Sequence, residues 1–245
     1  MVTQPIQPIQ PVILTTPQRM AGQVAVLAAA FSGHAHFAEP LIYCDERQDG
    51  AAVSTRNAIA TAAAGGGHVL FLEDDIVADA EAPDVISSVE LPPAVAVLSF
   101  CDMREVPEYA PPGLYRCSPL GSDGRGWWGN QALLIHCDTV AMCLREDWFS
   151  RRIEDSRGIL AHKACYQDEG RNCSDIRLAL LIHYHGGRRS DYVVHVPSLF
   201  KHVGHESACF PGRSMGERET RNWIADRRKY QVDARRTAGD ADRAG

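Results

Sequence analysis

Short apolar runs alternate with longer stretches of helical composition along the first hundred residues. The apolar runs are PVILTT, PLIYCDE and HVLFL, and between them lie PQRMAGQVAVLAAAF, in which Pro17 suits a first turn, and AAVSTRNAIATAAA, which the glycines at 65–67 end. Strands that alternate with helices are typical of a parallel sheet covered by helices. The pattern therefore predicts an α/β fold with a mostly parallel sheet flanked by helices.

The rest of the chain continues this pattern and then loses it. AVAVLSF and DYVVHVPSLF predict strands, CSDIRLALLIHYH predicts a helix with Ser174 as its N-cap, and the Gly- and Pro-rich residues 107–130 predict loops. We expect a flexible Pro/Gln arm over 1–10 and one folded domain over 11–212. The alternating Arg and acidic residues of 213–245 predict a surface helix and a disordered tail.

Composition and charge narrow the class of protein. The 245 residues are 45% hydrophobic and 23% charged, which is enough to form one substantial core, and the net charge of −6 argues against coating nucleic acid through overall charge. Neither a signal peptide nor an apolar membrane anchor is evident, so we expect a cytoplasmic protein. The eight cysteines are scattered without a C-x-x-C pair, and we expect them to be reduced thiols, mostly buried.

Three consecutive acids, Glu73, Asp74 and Asp75, follow the apolar run HVLFL. A strand without polar alternation is buried on both faces, and ligands in open α/β sheets bind beyond the carboxyl ends of such strands. Neighbouring carboxylates raise one another's pKa unless a cation compensates, and Mg²⁺ or Mn²⁺ would take oxygen ligands from these acids and from phosphates. The pattern favours a diphosphate site; the alternative is an acidic loop that caps the next helix.

Two segments carry a resemblance to a known family. LFLEDDIV resembles the acidic motif of nucleotide-sugar glycosyltransferases of the GT-A fold, and in this form it is similar to the branching N-acetylglucosaminyltransferases of N-glycan synthesis. VPSLFKHVGHES, at 196–207, resembles the segment near the end of their catalytic domain. The resemblance implies a Rossmann-like GT-A catalytic domain over 11–212, a UDP-sugar donor and Mn²⁺ or Mg²⁺. We expect a departure from the family in one respect, a compact form without its membrane anchor, longer lumenal chain and extra domains.

The resemblance also implies roles for single residues. Asp75 would bind the metal directly, Glu73 would reach the ribose or a metal-bound water, and Asp74 would do either. His202, in preference to His205, would supply a further ligand to the metal; the alternative is that this H-x-x-H pair is a core or surface feature or half of a zinc site.

The nucleotide would be bound at the ends of the first two strands and by the helix before the acids. By analogy with the family we assign this to Thr15, Thr16 and Arg19 after the first strand and Asp45, an acceptor for the uracil imide, after the second. Arg56 and Asn57 would contact phosphate; a helix-surface Arg and a polar cap are the alternative.

Transfer of the sugar needs a base to take the acceptor's proton. Asp175 falls in the first turn of a predicted helix, and similar positions hold the catalytic carboxylate of inverting GT-A enzymes, although Asp favours helix N-termini through the dipole alone. Asp168 and Glu169 are reserve candidates. Sugar contacts are expected from Trp128 or its neighbour Trp127 and from Asn130 or Gln131.

The sequence does not identify the acceptor of the sugar. A small molecule, a bacterial surface-glycan precursor, a protein or the hydroxymethylated bases of bacteriophage DNA would each suit an enzyme of the cytoplasm, or of the host cytoplasm if the protein is viral. GGRRS and DRRKYQVDARR are short basic segments that could contact DNA phosphates or simply be solvated. No obligate protein partner is evident. The rival functions are a metal-dependent phosphoryl-transfer enzyme, such as a nucleotidyltransferase or phosphatase, and a non-catalytic sugar- or DNA-binding module.

Overall fold

A computed structural model describes residues 8–102, 106–117, 131–150, 171, 173–203, 220–226 and 228. The strands are β1 (Gln10–Thr15), β2 (Leu41–Cys44), β3 (Val69–Glu73), β4 (Ile76–Ala78), β5 (Val95–Ser99), β6 (Gly113–Cys117), β7 (Ala132–Ile135), β8 (Asp191–Val196) and β9 (Phe200–His202). The α-helices are α1 (Gln23–Phe31), α2 (Ala51–Ala62), α3 (Ala82–Ser88), α4 (Cys137–Arg145) and α5 (Ser174–His185).

Seven strands form one mixed sheet in the order β2-β1-β3-β7-β5-β8-β6. Strands β2, β1, β3, β5 and β8 run in one direction, and only β7 and β6 among the seven run against them. Helices cover both faces of this sheet, so the predicted α/β, Rossmann-like architecture is confirmed. The remaining strands, β4 and β9, form a separate two-stranded antiparallel ribbon.

Strand β3 is buried on both faces, as its continuous apolar sequence predicted. Val69 and Phe71 pack with α2, α4 and α5, whereas Leu70 and Leu72 pack with α1 and α3 on the other side. All four side chains are fully buried, and β3 lies inside the sheet between β1 and β7. The hydrophobic clusters on both faces of the sheet therefore fix β3, and with it the position of the acids that follow.

Several local predictions were wrong. The stretch that begins at Pro17 is not one helix, because a 3₁₀ turn over Pro17–Arg19 is separated from α1 by Gly22, whose φ of 95° breaks the helical path. The loop expected over 107–130 contains β6, an edge strand bonded only to β8, whose exposed side chains gave no apolar signal. Ser174 is the first residue of α5 and Cys173 is its N-cap.

The expectation of eight reduced thiols also needs correction. Cys173 is disulfide-bonded, whereas the other five cysteines in the described part of the chain are free. Only Cys101 and Cys143 of those five are buried, and the rest are half-buried. None of the described helices combines the length and the apolar character that a membrane span requires.

Candidate active site

The carboxyl ends of β1 and β3 form the floor of the candidate site. Leu14 of β1 pairs with Glu73 of β3, so Thr15, the last residue of β1, lies beside Asp74, the first residue after β3. On the other side of β3, the backbone N–H of Glu73 donates to the carbonyl of Gln131, just before antiparallel β7. Three strands thus bring polar residues to one edge of the sheet.

Asp74 is held by two side chains that the sequence places far away. The hydroxyl of Thr15 donates to Asp74 Oδ2 over 2.6 Å, and Arg19 Nη1 donates to Asp74 Oδ1 over 2.9 Å. Asp74 is only 5% exposed. Burial opposes the charge of Arg19, but the neighbouring carboxylates, first among them Asp74, outweigh it and raise the pKa of Arg19. Arg19 therefore supplies part of the positive charge that the three acids require.

Asp75 lies between Arg19 and His202. Its Oδ2 is 3.2 Å from His202 Nε2 and 3.6 Å from Arg19 Nη1. Burial alone would raise the pKa of Asp75, yet the hydrogen bond and charge of His202, with the charge of Arg19, lower it. Its other oxygen, Oδ1, is buried and accepts no hydrogen bond from the described residues. A buried carboxylate oxygen left in this state calls for a further partner.

The ribbon of β4 and β9 brings His202 to Asp75. Ile76 pairs with His202, and the backbone N–H of Val203 donates to the carbonyl of Asp75 over 2.9 Å. The N–H of His202 donates to Thr220 Oγ1, while its ring Nδ1 is buried without a partner among the described residues. The two sequence segments that carry the family resemblance are therefore bonded to each other in the fold.

Asp75 and His202 fit a hard divalent cation better than the full predicted ligand set does. The ligand atoms of Glu73, Asp75 and His202 do not all lie within 4.8 Å of one another, so these three do not form a closed protein site. Within the described part of the chain Asp75 Oδ1 has no partner, and His202 offers an adjacent imidazole. Mg²⁺ or Mn²⁺ usually completes its shell with phosphates and water. A two-ligand protein contribution is consistent with that chemistry.

Two further buried polar atoms lie at the same edge. Thr16 Oγ1 and Gln131 Oε1 have no hydrogen-bond partner in the described part of the chain. Thr16 follows β1, and Gln131 is bonded through its backbone to Glu73. Native proteins leave few buried polar atoms unpaired, so four such atoms at one sheet edge, those of Thr16, Asp75, Gln131 and His202, indicate a place for a polar ligand.

The other predicted nucleotide contacts are already engaged within the protein. Arg19 and Thr15 bind Asp74, as described above. Asp45 accepts hydrogen bonds from the hydroxyl of Ser54 at 2.5 Å and from the backbone N–H of Gln48 at 2.9 Å. Its own N–H donates to the carbonyl of Thr15. Asp45 thus ties the loop between β2 and α2 to the end of β1.

Arg56 and Asn57 lie away from the acids. Arg56 is exposed on α2 and lines a surface cavity of about 330 Å³ together with residues of the segment after α4, among them Trp148 and Phe149. The backbone carbonyl of Asn57 accepts from the hydroxyl of Thr61 within α2. No hydrogen bond or ion pair in the described part of the chain joins either residue to the acidic cluster.

Asp175 shares the sheet edge with the acids without touching them. It is half-buried in the first turn of α5, where its Oδ1 accepts from the N–H of Ile176 over 2.8 Å. Just before α5, the carbonyl of Arg171 accepts from the N–H of Ala52, at the start of α2. Because α2 begins where β2 has ended, this contact places the start of α5 toward the carboxyl edge. Six predicted candidates lie outside the described residues: Trp127, Trp128, Asn130, His205 and the reserve pair Asp168 and Glu169.

Sequence reasoning missed the pairing of Arg19 with both aspartates. The only signal for it was position, because Arg19 follows the strand next to the one that carries the acids. No protein-family model matches the chain, and no curated protein matches it either. The fold and the geometry of this edge are therefore what supports a functional assignment.

Proposed function

We propose that the chain is a metal-dependent glycosyltransferase of the GT-A type that moves a sugar from a nucleotide sugar to an acceptor hydroxyl. UDP-sugars are the favoured donors. One observation carries the proposal: Oδ1 of Asp75, buried and without a hydrogen-bond partner among the described residues, lies beside His202 at the carboxyl ends of parallel strands. It is supported by the pairing of β4 with β9, which joins the two segments that resemble the family.

Asp75 and His202 would hold Mn²⁺ or Mg²⁺ in this proposal. A bound cation of this kind would neutralise charge on a nucleoside diphosphate as it leaves. Arg19 keeps Asp74 and Asp75 oriented and brings a second positive charge within 3.6 Å of Asp75. The diphosphate would thus be bound by positive charge, while Asp74 acts through Arg19 and Thr15 and has a positioning role.

The donor's neutral groups would be bound by the remaining polar atoms of this edge. Thr16 Oγ1 can donate or accept a hydrogen bond, and the buried Oε1 of Gln131 can only accept one, as from a sugar or ribose hydroxyl. Glu73 lies between these two positions and is suited to a ribose hydroxyl. Trp128 remains a predicted sugar contact.

Asp175 is the proposed base. It would take the proton of the acceptor hydroxyl while that oxygen attacks the anomeric carbon from the face opposite the leaving diphosphate, which inverts the configuration. A product with retained configuration would remove Asp175 from this role.

The acceptor and the location belong to the same proposal. A glycan or a hydroxymethylated base of viral DNA are the acceptors to test first. The basic segment at 186–190 does not favour DNA at this site, because it precedes β8 at the amino edge of the sheet and its Arg189 is paired with Asp138. A cytoplasmic enzyme, in the host cytoplasm if viral, was expected; the disulfide at Cys173 counts against it, since disulfides are rare in that compartment.

Ligand-dependent stabilisation of the folded protein tests the donor site directly. The melting temperature would be measured with a panel of nucleoside diphosphates and nucleotide sugars, each with Mn²⁺, with Mg²⁺ or with a chelator. At a ligand concentration about 100 times Kd, a site filled only in the folded state adds ~2.7 kcal/mol. We expect UDP compounds to stabilise the protein only with metal, and Asp75→Asn to abolish the effect.

Asp84→Asn is the matched control for this experiment. Asp84 has an 83% exposed side chain on α3, so its amide variant should respond to nucleotides as the wild type does. No stabilisation by any nucleotide would contradict the proposal. Release of phosphate or pyrophosphate in place of a nucleoside diphosphate would identify the rival phosphoryl-transfer enzyme.

A further inference from the structure

Three metal-ligating side chains meet at the opposite end of the β3 and β7 pair. Val69 of β3 pairs with Ile135 of β7, so the residues just outside this pair, His68 and His136, are neighbours across the two strands. Cys137 follows at the first position of α4. The amino edge of β3 thus carries two imidazoles and a free thiol, far along the strand from the acids.

The distances within this cluster suit ligands of one ion. One ligand atom from each of His68, His136 and Cys137 lies within 4.8 Å of the others. His136 Nδ1 and Cys137 Sγ are 3.7 Å apart, and two ligands on a tetrahedral zinc ion with bonds of 2.0–2.3 Å stand about 3.6 Å apart. The centroids of the two imidazole rings are 4.6 Å apart. The side chains would need only small movements to share a cation.

The cluster's present hydrogen bonds are local, and the one that His136 accepts is the N-cap bond of α4. Backbone N–H groups of Cys137 and Asp138 donate to the Nδ1 atoms of His68 and His136 over 3.3 and 3.1 Å. His136 has a side chain that is 12% exposed, and His68 and Cys137 are half-buried, so a cation could reach them from solvent. Asp138 and Arg189 form an ion pair beside the cluster at 2.9 Å. A bound cation would replace two backbone hydrogen bonds and meet a neutralised surface.

We propose that His68, His136 and Cys137 form a site for a divalent transition metal of the zinc class, separate from the acidic site. Two imidazoles and a thiolate suit Zn²⁺ or Co²⁺ and do not suit Mg²⁺ or Mn²⁺, which prefer oxygen. Three protein ligands leave the fourth tetrahedral position to water. The ion links the start of β3 to the start of α4, so its binding stabilises the fold and does not depend on glycosyl transfer.

Cobalt binding to the full chain tests this site, because a thiolate ligand gives Co²⁺ a distinctive charge-transfer absorption. Co²⁺ would be titrated into the reduced-thiol protein in excess Mg²⁺, which occupies oxygen sites. We expect one equivalent to bind with thiolate absorption and one equivalent of Zn²⁺ to displace it. Cys137→Ser should remove the absorption, and His68→Gln should raise the Kd at least tenfold, since loss even of groups that merely orient ligands costs about 10–100-fold.

Matched variants separate this site from other thiols and from the acidic edge. Cys117→Ser changes another free, half-buried cysteine and should leave the titration unchanged. Asp75→Asn should also bind cobalt normally, even if it abolishes nucleotide binding. Absence of thiolate absorption in the wild type, or its persistence in Cys137→Ser, would overturn the proposal. If Cys137→Ser does not fold, the wild-type titration and His68→Gln decide the question.

Discussion

The two ends of the β3 and β7 pair carry opposite chemistries on the same backbone frame. At the carboxyl edge, Asp74 and Asp75 are buried acids; Arg19 pairs with both, and His202 Nε2 lies 3.2 Å from Asp75 Oδ2. At the amino edge, His68 and His136 have lowered pKa values and are held as neutral rings by burial. A buried charge demands a partner of opposite sign, whereas a neutral imidazole offers a lone pair. The carboxyl edge is thus suited to hard cations such as Mg²⁺ or Mn²⁺, and the amino edge to transition metals of the zinc class.

The largest expected effect comes from removing the positive charge of Arg19 at the carboxyl edge. Arg19→Met leaves Asp74 and Asp75 with less compensation in a buried site, and breaking such a pair costs about 3 kcal/mol. Urea unfolding in a chelator should reveal this loss, and Mn²⁺ should restore part of it by supplying charge to the same carboxylates. Arg116→Met breaks an ion pair in which Arg116 is 73% exposed, so it should cost below ~1 kcal/mol. Equal losses in the two variants would mean that the acids do not depend on Arg19.

A smaller effect tests whether Asp74 is held by its neutral partner as well. Thr15→Val removes the buried hydroxyl that donates to Asp74 and should cost ~2 kcal/mol, as for hydrogen bonds to charged groups. Cobalt binding at the amino edge should not change, because Thr15 lies at the other end of the sheet. Thr61→Val, on the exposed face of α2, is the control and should change the unfolding free energy by less than ~0.5 kcal/mol. A change in cobalt affinity would show that the two edges are coupled.

In the presence of a chelator, the histidines of the amino edge should make the free energy of unfolding depend on pH. Burial, then the charges of His68 and Arg189, lower the pKa of His136 from 6.5 to about 4. Between those values the unfolded chain binds the extra proton, so the free energy of unfolding should fall as pH drops from 6.5 to about 4. We expect a fall of ~1–2 kcal/mol, less than the full shift implies, because solvent screens a ring at the surface. His136→Gln should flatten this slope, and His36→Gln, on an exposed loop, should not. An unchanged slope in His136→Gln would assign the acid sensitivity to other groups.

The sequence predicted the frame of the molecule better than its contacts. The continuous apolar run of β3 was enough to place the three acids at the carboxyl edge of a doubly covered sheet. The family resemblance suggested His202 as a ligand, and in the structure His202 lies beside Asp75. Two strands of only three residues each, β4 and β9, bring them together. Strands this short have no readable period, so the ribbon itself could not be predicted.

The remaining contacts depend on register and on turn geometry. Arg19 lies in a 3₁₀ turn that Gly22 separates from α1, and from there it reaches the acids. The prediction of one helix from Pro17 onward missed this turn. His68 and His136 meet only because Val69 pairs with Ile135 and with no other residue of β7. A single sequence gives the composition of strands but not which residues lie opposite each other.

The bond between Asp75 and His202 spans 127 positions of the chain. During synthesis on a ribosome, which adds about 5–20 residues per second, the acids emerge well before the histidine. For several seconds Arg19 has been synthesised and His202 has not. During that time Arg19 can pair with Asp74 and Asp75 before β9 brings His202 to them. Because the two residues are so far apart in sequence, the proposed metal site cannot be complete until β9 has been synthesised.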